Sequence, residues 1–103
     1  MRWYKNLYMG KKAKKRKRKI MRSIKNGKPF PGSYVVTLPE NNKNSLDIYP
    51  SLILLQNYYK NKDYYIIGIG FGRSETLEVV QEIVMDCYNK TGQFLVEKMI
   101  QSA

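Results

Sequence analysis

The positive charge of this 103-residue chain is gathered at one end, and this limits which part of it can enter a core. Residues 11–28 read KKAKKRKRKIMRSIKNGK and contain eleven Lys or Arg and no acid. With Arg2 and Lys5, residues 1–32 carry +13, whereas residues 33–103 hold six bases and eight acids, a net of −2. Charged groups are not buried without partners. The basic end must therefore lie on the surface, and most of the core must come from the near-neutral remainder.

A chain of this length forms a single domain. We divide it into a basic N-terminal helical segment, 1–32, and a small α/β body, 33–103. It has no run of 18 apolar residues, so no membrane span is expected. The N-terminus lacks the apolar stretch of a secretory signal. The only cysteine, Cys87, allows no internal disulfide and fits a reducing compartment, so we expect a cytoplasmic protein.

The basic segment has the composition of a helix. Residues 10–26 are strong helix formers, and Gly27 is placed to end the helix. Ile20, Met21 and Ile24 are its large apolar residues and predict an anchor to the body, whereas the like charges before Ile20 predict a part that projects into solvent. In residues 1–9 the apolar side chains recur at i, i+4 spacing, which favours another helical face. The residues of that face are Trp3, Tyr4, Leu7 and Tyr8.

The body is predicted to be α+β, or a small α/β fold, with a basic helix followed by β-β-α-β-α and a short C-terminal strand at 94–96 as a further element. Strands are expected at 34–38 and 46–49, and a central strand at 64–69. Residues 51–59 favour a short helix, with a buried strand as the alternative. Ser74 is the expected N-cap of a helix that runs to about Lys90. Its predicted buried stripe is Leu77, Val80, Ile83, Val84, Cys87 and Tyr88.

The basic helix is the main functional candidate. Lysines and arginines that surround a helix bind phosphates by releasing condensed counterions, without reading sequence. The predicted phosphate contacts are Lys11, Lys12, Lys14, Lys15, Arg16, Lys17, Arg18, Lys19 and Arg22. Candidates for base stacking on single strands are Trp3, Tyr4 and Tyr8. An acidic protein, an anionic membrane surface or no specific partner remain alternatives, and the sequence does not distinguish DNA from RNA.

A glycine-rich loop between the central strand and the following helix is a weaker candidate. The position suits an anion, because backbone N–H groups and a helix N-terminus meet there. The dinucleotide pattern G-x-G-x-x-G would need glycine where Arg73 stands, and the P-loop pattern is absent. Close packing of strand against helix is the competing interpretation. The residues of this weak anion site would be Gly70, Gly72, Arg73 and Ser74.

Four acids recur at helical spacing after this loop: Glu75, Glu78, Glu82 and Asp86. They read either as a solvated helix face or as a surface that meets the basic helix, in the same chain or in a second copy. The second interpretation predicts salt-sensitive self-association.

Several absences lower the expectation of an enzyme. The chain has no histidine and no cysteine pair, so neither the usual general base nor a zinc site is expected. Cys87 lies among apolar residues without a base to activate it, which predicts a core position. No complete catalytic motif is present. We therefore expect a non-enzymatic protein without metal or cofactor.

The order of short segments along the chain resembles a family of short uncharacterised proteins in low-GC Gram-positive bacteria. The segments are WY near the start, the lysine-rich run, YVVTLP, LDIYP, YYIIGIGFG, ETLEVVQEIV and YNKTGQF. The resemblance implies a single bacterial cytosolic domain and carries no activity. The sequence thus favours a nucleic-acid-binding protein, with a protein-interaction module, an adaptor or inhibitor whose basic helix docks on an acidic surface, as the alternative.

Overall fold

The computed structural model describes residues 2–28, 30–39, 45–55, 64–94 and 96–101. Within these ranges the fold is α+β, as predicted, with a mixed four-stranded sheet and helices on both of its faces. The strands are β1 (Arg2–Met9), β2 (Ser33–Leu38), β3 (Asp47–Pro50) and β4 (Tyr65–Phe71). The α-helices are α1 (Lys11–Lys15), α2 (Lys17–Lys25), α3 (Arg73–Thr91) and α4 (Val96–Gln101), and a 3₁₀ helix (Ser51–Leu55) follows β3.

The strand order in the sheet is β1-β4-β2-β3. β1 runs parallel to β4, whereas β2 is antiparallel to both β4 and β3. The strand richest in isoleucine, β4, therefore lies inside the sheet, and it presents apolar side chains to both faces. The predicted helix at 51–59 is a 3₁₀ helix over Ser51–Leu55. Residues 56–59 of that prediction lie outside the described residues.

The helical interpretation of residues 1–9 is wrong, because this segment forms the edge strand β1. Trp3 pairs with Ile66 and Tyr8 with Gly68, so four residues of β1 stand opposite the single residue Ile67. This bulge destroys the simple alternation that marks a strand. Without that alternation, the i, i+4 spacing of the aromatic residues predicts a helix, although aromatic residues themselves favour strands.

The basic segment forms two short helices, with a break at Arg16. Its end was predicted correctly: Gly27 has a positive φ of 69°, and the N–H of Lys28 donates to the carbonyl of Ser23 at 2.8 Å. This left-handed ending requires little more than a glycine.

The prediction that the basic segment projects into solvent before Ile20 is wrong. Ala13 and Ile20 are completely buried, and α1 packs on β4. Ala13 is small enough to let α1 lie close to β4. The four lysines of α1 are exposed, yet one face of this helix rests on the sheet. The anchor therefore extends along both helices.

Two apolar clusters lie on opposite faces of the sheet. One cluster joins the sheet to α3 and α4, and the other joins it to α1, α2 and the 3₁₀ helix. Trp3 packs against the second cluster and Tyr4 belongs to the first, so β1 contributes to both. Residues 2–9 are thus part of the same folded unit as the body.

Helix α3 begins one residue before the predicted cap. Gly72 is its N-cap with a φ of 85°, and Gly92 ends it in the left-handed conformation. The helix buries Thr76, Val79, Ile83 and Cys87. Cys87 is therefore a core residue, as predicted.

The predicted buried stripe of this helix is wrong at both of its ends. Leu77 is 47% exposed and Tyr88 is 53% exposed. The sheet selects the other side because β4 presents glycine there: a Cβ at Gly70 would lie 2.6 Å from the Cα of Thr76. Thr76 can occupy that position only because the strand has no side chain at residue 70.

The last predicted element is also wrong, since residues 96–101 form the helix α4 and not a strand. Val96 and Met99 are completely buried and pack in the α3 cluster, at the i, i+3 spacing of a helix. No helix in the described part of the chain combines the length and the apolar character needed to cross a membrane.

Candidate nucleic-acid interface

All eleven Lys and Arg of residues 11–28 are exposed, and we call this surface the basic face. It includes the nine residues predicted to contact phosphates, and it gains Lys25 and Lys28. The inward side of the same segment is occupied by Ala13, Ile20 and Ile24, all buried. These three residues fix the helices on the sheet and leave the cations on the exposed side of the segment.

A carboxylate from α3 holds the start of the basic face in position. Glu75 accepts hydrogen bonds from the backbone N–H of Lys12 at 2.6 Å and of Ala13 at 3.2 Å. It also accepts one from the N–H of Phe71 at 2.6 Å, so it links α1, β4 and α3. A carboxylate beside the first N–H groups of a helix is electrostatically favourable.

The electrostatics of Glu75 follow from this position. Burial acts to raise the pKa of its carboxyl, but the three backbone N–H donors and the charge of Lys12 outweigh burial and lower the pKa below its ordinary value of 4.5. Gly10 makes the approach possible, because a side chain at residue 10 would overlap Glu75. The carboxylate therefore favours its charged form, and it lies between α1 and α3.

The break between α1 and α2 is also attached to the body. The guanidinium of Arg16 lies 5.3 Å from the centre of the Phe71 ring, a cation–π distance. Phe30 packs edge-on against the same ring, with 6.2 Å between the ring centres. Arg16 is thus exposed but partly engaged within the protein, unlike a lysine that extends only into solvent.

The three aromatic side chains predicted to stack on bases are not equally available. Tyr4 is only 4% exposed and stacks on Tyr8, with 6.3 Å between the ring centres. Tyr8 is half-buried and donates its hydroxyl to Asp86 at 2.7 Å. Burial, together with the hydrogen bond to Asp86 and its charge, raises the pKa of Tyr8 well above its ordinary value of 10.0. Trp3 is half-buried, and the amine of Lys25 lies 5.7 Å from its ring centre. The structure therefore contradicts a stacking role for Tyr4.

A groove of about 550 Å³ separates the basic face from α3 at the β1 edge. Lys14 and Lys17 line one side of it, and Glu82 and Lys90 line the other. Two depressions lie on the basic face itself, one of about 450 Å³ along residues 14–19 and one of about 380 Å³ around Met21. The cations thus surround shallow concave surfaces and not a flat helix.

The predicted anion site at the glycine loop is divided by the fold. Gly70 lies within β4 beneath Thr76, whereas Arg73 and Ser74 are exposed on the first turn of α3. The neighbouring N–H of Phe71 already donates to Glu75. The sequence could identify this loop but not its occupant, since the chain's own carboxylate takes the place of an external anion.

Two members of the acidic stripe bond other elements of the fold. Glu75 bonds α1 and Asp86 accepts from Tyr8, whereas Glu78 and Glu82 are exposed. The idea that this face meets the basic helix within the same chain is therefore correct at Glu75. No signal near residue 75 could have identified this contact, because the partners of Glu75 in α1 lie more than 60 residues away.

The described residues contain no cluster of three or more His, Cys, Asp or Glu side chains of the kind that holds a metal ion. Cys87 is buried and its thiol donates to the carbonyl of Gln93 at 3.4 Å. A scan against protein-family models finds no match for this chain, and searches of curated proteins and of solved structures find none either. The resemblance to short proteins of low-GC Gram-positive bacteria stays a prediction.

Proposed function

We propose that this protein is a non-enzymatic nucleic-acid-binding protein that contacts phosphates through the basic face, largely without reading sequence. The observation that carries the proposal is the exposure of all eleven cations of residues 11–28 on a segment whose inward side is buried in the core. An ordered array of cations binds a polyanion by releasing its counterions. Because the helices are already fixed on the sheet, little of this gain is lost in ordering them.

The length of the basic face sets the number of contacts. Helices α1 and α2 lie within residues 11–25 with a break at Arg16, so at 1.5 Å per residue the segment is at most about 22 Å long. One strand of a duplex carries a phosphate every ~3.4 Å along the axis, so about six phosphates of one strand lie within this length. Eleven cations are enough to neutralise six phosphates.

A salt titration tests the proposal. Fluorescence anisotropy would be measured with labelled duplex DNA, duplex RNA and single strands, each in two unrelated sequences, at salt concentrations from about 50 to 200 mM. With about six contacts, the affinity for B-DNA should fall by roughly 10³ over this range. The two sequences of each type should bind alike. Undetectable binding at the lowest salt concentration, or binding that does not respond to salt, would contradict the proposal.

One observation favours the alternative of a protein partner. Met21 is half-buried in the depression of about 380 Å³, surrounded by Lys17, Arg18, Arg22 and Lys25. A phosphate backbone uses the cations but gains nothing from an apolar centre, whereas an acidic protein surface with an apolar residue would use both. Capture of a protein after nuclease treatment, lost when Met21 is replaced by Ser, would support this alternative.

A further inference from the structure

Helix α3 has a second apolar surface that faces solvent. Leu77 and Tyr88 are half exposed, and Met85 is 65% exposed. At 3.6 residues per turn, these three residues and Gln81 fall within an arc of about 80°. The buried residues of α3 lie on the other side of the helix, around Ile83. The stripe is therefore in contact with solvent in the isolated chain. Exposed apolar patches mark interaction surfaces.

The stripe is bordered by negative charge. Glu82 precedes Met85 by three residues and lies beside it on the helix surface, and Glu78 lies two turns before Met85 on the same flank. Both are exposed. The solvent face of α3 thus has Met85 at one margin of the apolar stripe, with two carboxylates along that margin.

The depression on α2 has the opposite arrangement. Met21 is its apolar centre, with cations at i−4, i−3, i+1 and i+4. Both surfaces contain a methionine, and the charges beside the two methionines are of opposite sign. Charge complementarity of this kind selects partners and fixes their register.

We propose that the solvent face of α3 docks on the α2 depression of a second copy of this chain. Met21 and Met85 lie on helices that pack on opposite faces of the sheet, so one copy cannot bring these two residues together, although Lys17 and Glu82 of one copy line a common groove. The contact is therefore head-to-tail, and it produces a ring or a series of oligomers and not a symmetric dimer. Since it covers Lys17, Arg18 and Arg22, self-association and phosphate binding compete for the same cations.

Sedimentation velocity at several protein concentrations provides the test. The wild-type protein at about 50 mM salt should sediment as a concentration-dependent series above the 12.1 kDa monomer. It should return to the monomer at about 500 mM salt, where the Debye length is only a few Å. A monomer at every salt concentration would overturn the proposal.

Charge-reversal variants identify the two surfaces. The Glu78→Lys/Glu82→Lys variant and the Arg18→Glu/Arg22→Glu variant should each be monomeric at low salt. A mixture of the two should associate again, because each retains the surface that the other has lost. Lys98→Glu, an exposed charge reversal on α4, is the control and should associate like the wild type. Oligomers that persist in the Glu78→Lys/Glu82→Lys variant or in high salt would also overturn the proposal, because they would indicate a mainly apolar contact.

The sedimentation result can be interpreted separately from the proposed nucleic-acid binding. Glu78→Lys/Glu82→Lys leaves the basic face intact, so it should bind nucleic acid at least as tightly as the wild type. If no nucleic acid binds and the salt-sensitive oligomers are still present, the docking surface stands and the proposed function fails. If nucleic acid binds without changing the sedimentation of the wild-type oligomers, competition for the cations is refuted and with it the assignment of α2 as the docking surface.

Discussion

Removing two lysines from the basic face should lower both the affinity for nucleic acid and its salt dependence by a calculable amount. Lys15 in α1 and Lys19 in α2 are suitable positions, because both side chains are exposed and neither takes part in the contacts of Arg16 or Glu75. Glutamine retains the helix propensity and most of the side-chain length. Lys98→Gln on α4 is the matched control, since it removes one exposed positive charge from the other face of the sheet.

The magnitude follows from counterion release. Each phosphate contact contributes about 0.9 to the slope of log affinity against log salt on B-DNA, so about six contacts give a slope near −5. If both lysines contact phosphates, the Lys15→Gln/Lys19→Gln variant should have a slope nearer −3.6. Extrapolated from 1 M salt, each lost contact costs about fivefold in affinity at 150 mM, so the pair should cost roughly 30-fold.

The assay is a set of anisotropy titrations on one duplex at four or more salt concentrations, with far-ultraviolet circular dichroism to show that the variants are folded. Lys98→Gln should change the slope by much less than one contact. The reasoning is refuted if Lys98→Gln and either single variant reduce affinity equally, because binding would then follow net charge and not the basic face. An unchanged slope in the double variant would exclude both lysines from the interface.

Two further predictions concern Glu75, which bonds the start of α1, and the packing of α3 on β4. Glu75 has a lowered pKa, so its contribution to stability is complete above about pH 4.5 and is lost as the pH falls through the lowered pKa. The urea midpoint of the Glu75→Gln variant should therefore vary less with pH in this acid range than the urea midpoint of the wild type. An identical pH dependence of the two midpoints would count against this linkage. Gly70→Ala should lower the free energy of unfolding by about 1–3 kcal/mol, because the new Cβ would lie 2.6 Å from the Cα of Thr76. Ser74→Ala is the control, because this position is exposed and the substitution should change the free energy of unfolding little. Equal urea midpoints for the two variants would show that α3 can move away from β4 at no cost.

The parts of the fold that the sequence predicted are those encoded by local chemistry. Gly27 and Gly92 end helices because the left-handed conformation at each helix end favours glycine, and both have a positive φ. The strand around Val35 and Val36 was predicted from β-branched residues between Gly32 and Pro39. Such signals lie within a few residues of the feature that they specify.

The parts that the sequence did not predict depend on distant partners. β1 was taken for a helix because its bulge conceals the alternation, and only its pairing with β4 reveals a strand. The orientation of α3 depends on the missing side chains of Gly68 and Gly70, which select Thr76 and Val79 as inward residues. Helix α3 has apolar residues on two sides, so its own periodicity does not choose between them.

The same distinction applies to the candidate site. Counting charges was enough to find the basic face, because eleven cations without an acid cannot be buried. The capping by Glu75 was not predictable, since it joins residues separated by 62 and 63 positions. Tyr4 was misjudged for the same reason: its ring is buried against α3, an element that begins about 70 residues later.

The way in which the basic segment is attached decides how it can be tested. Deleting residues 1–19 would seem the direct experiment on a charged tail. Here it would remove the edge strand β1, the buried Tyr4 and Ala13, and the partner groups of Glu75. Loss of binding in such a truncated chain would report a damaged core as readily as a missing contact. Because the cations are carried by helices that belong to the fold, their role can be separated from stability only by substitutions that change charge and leave the buried inward residues in place.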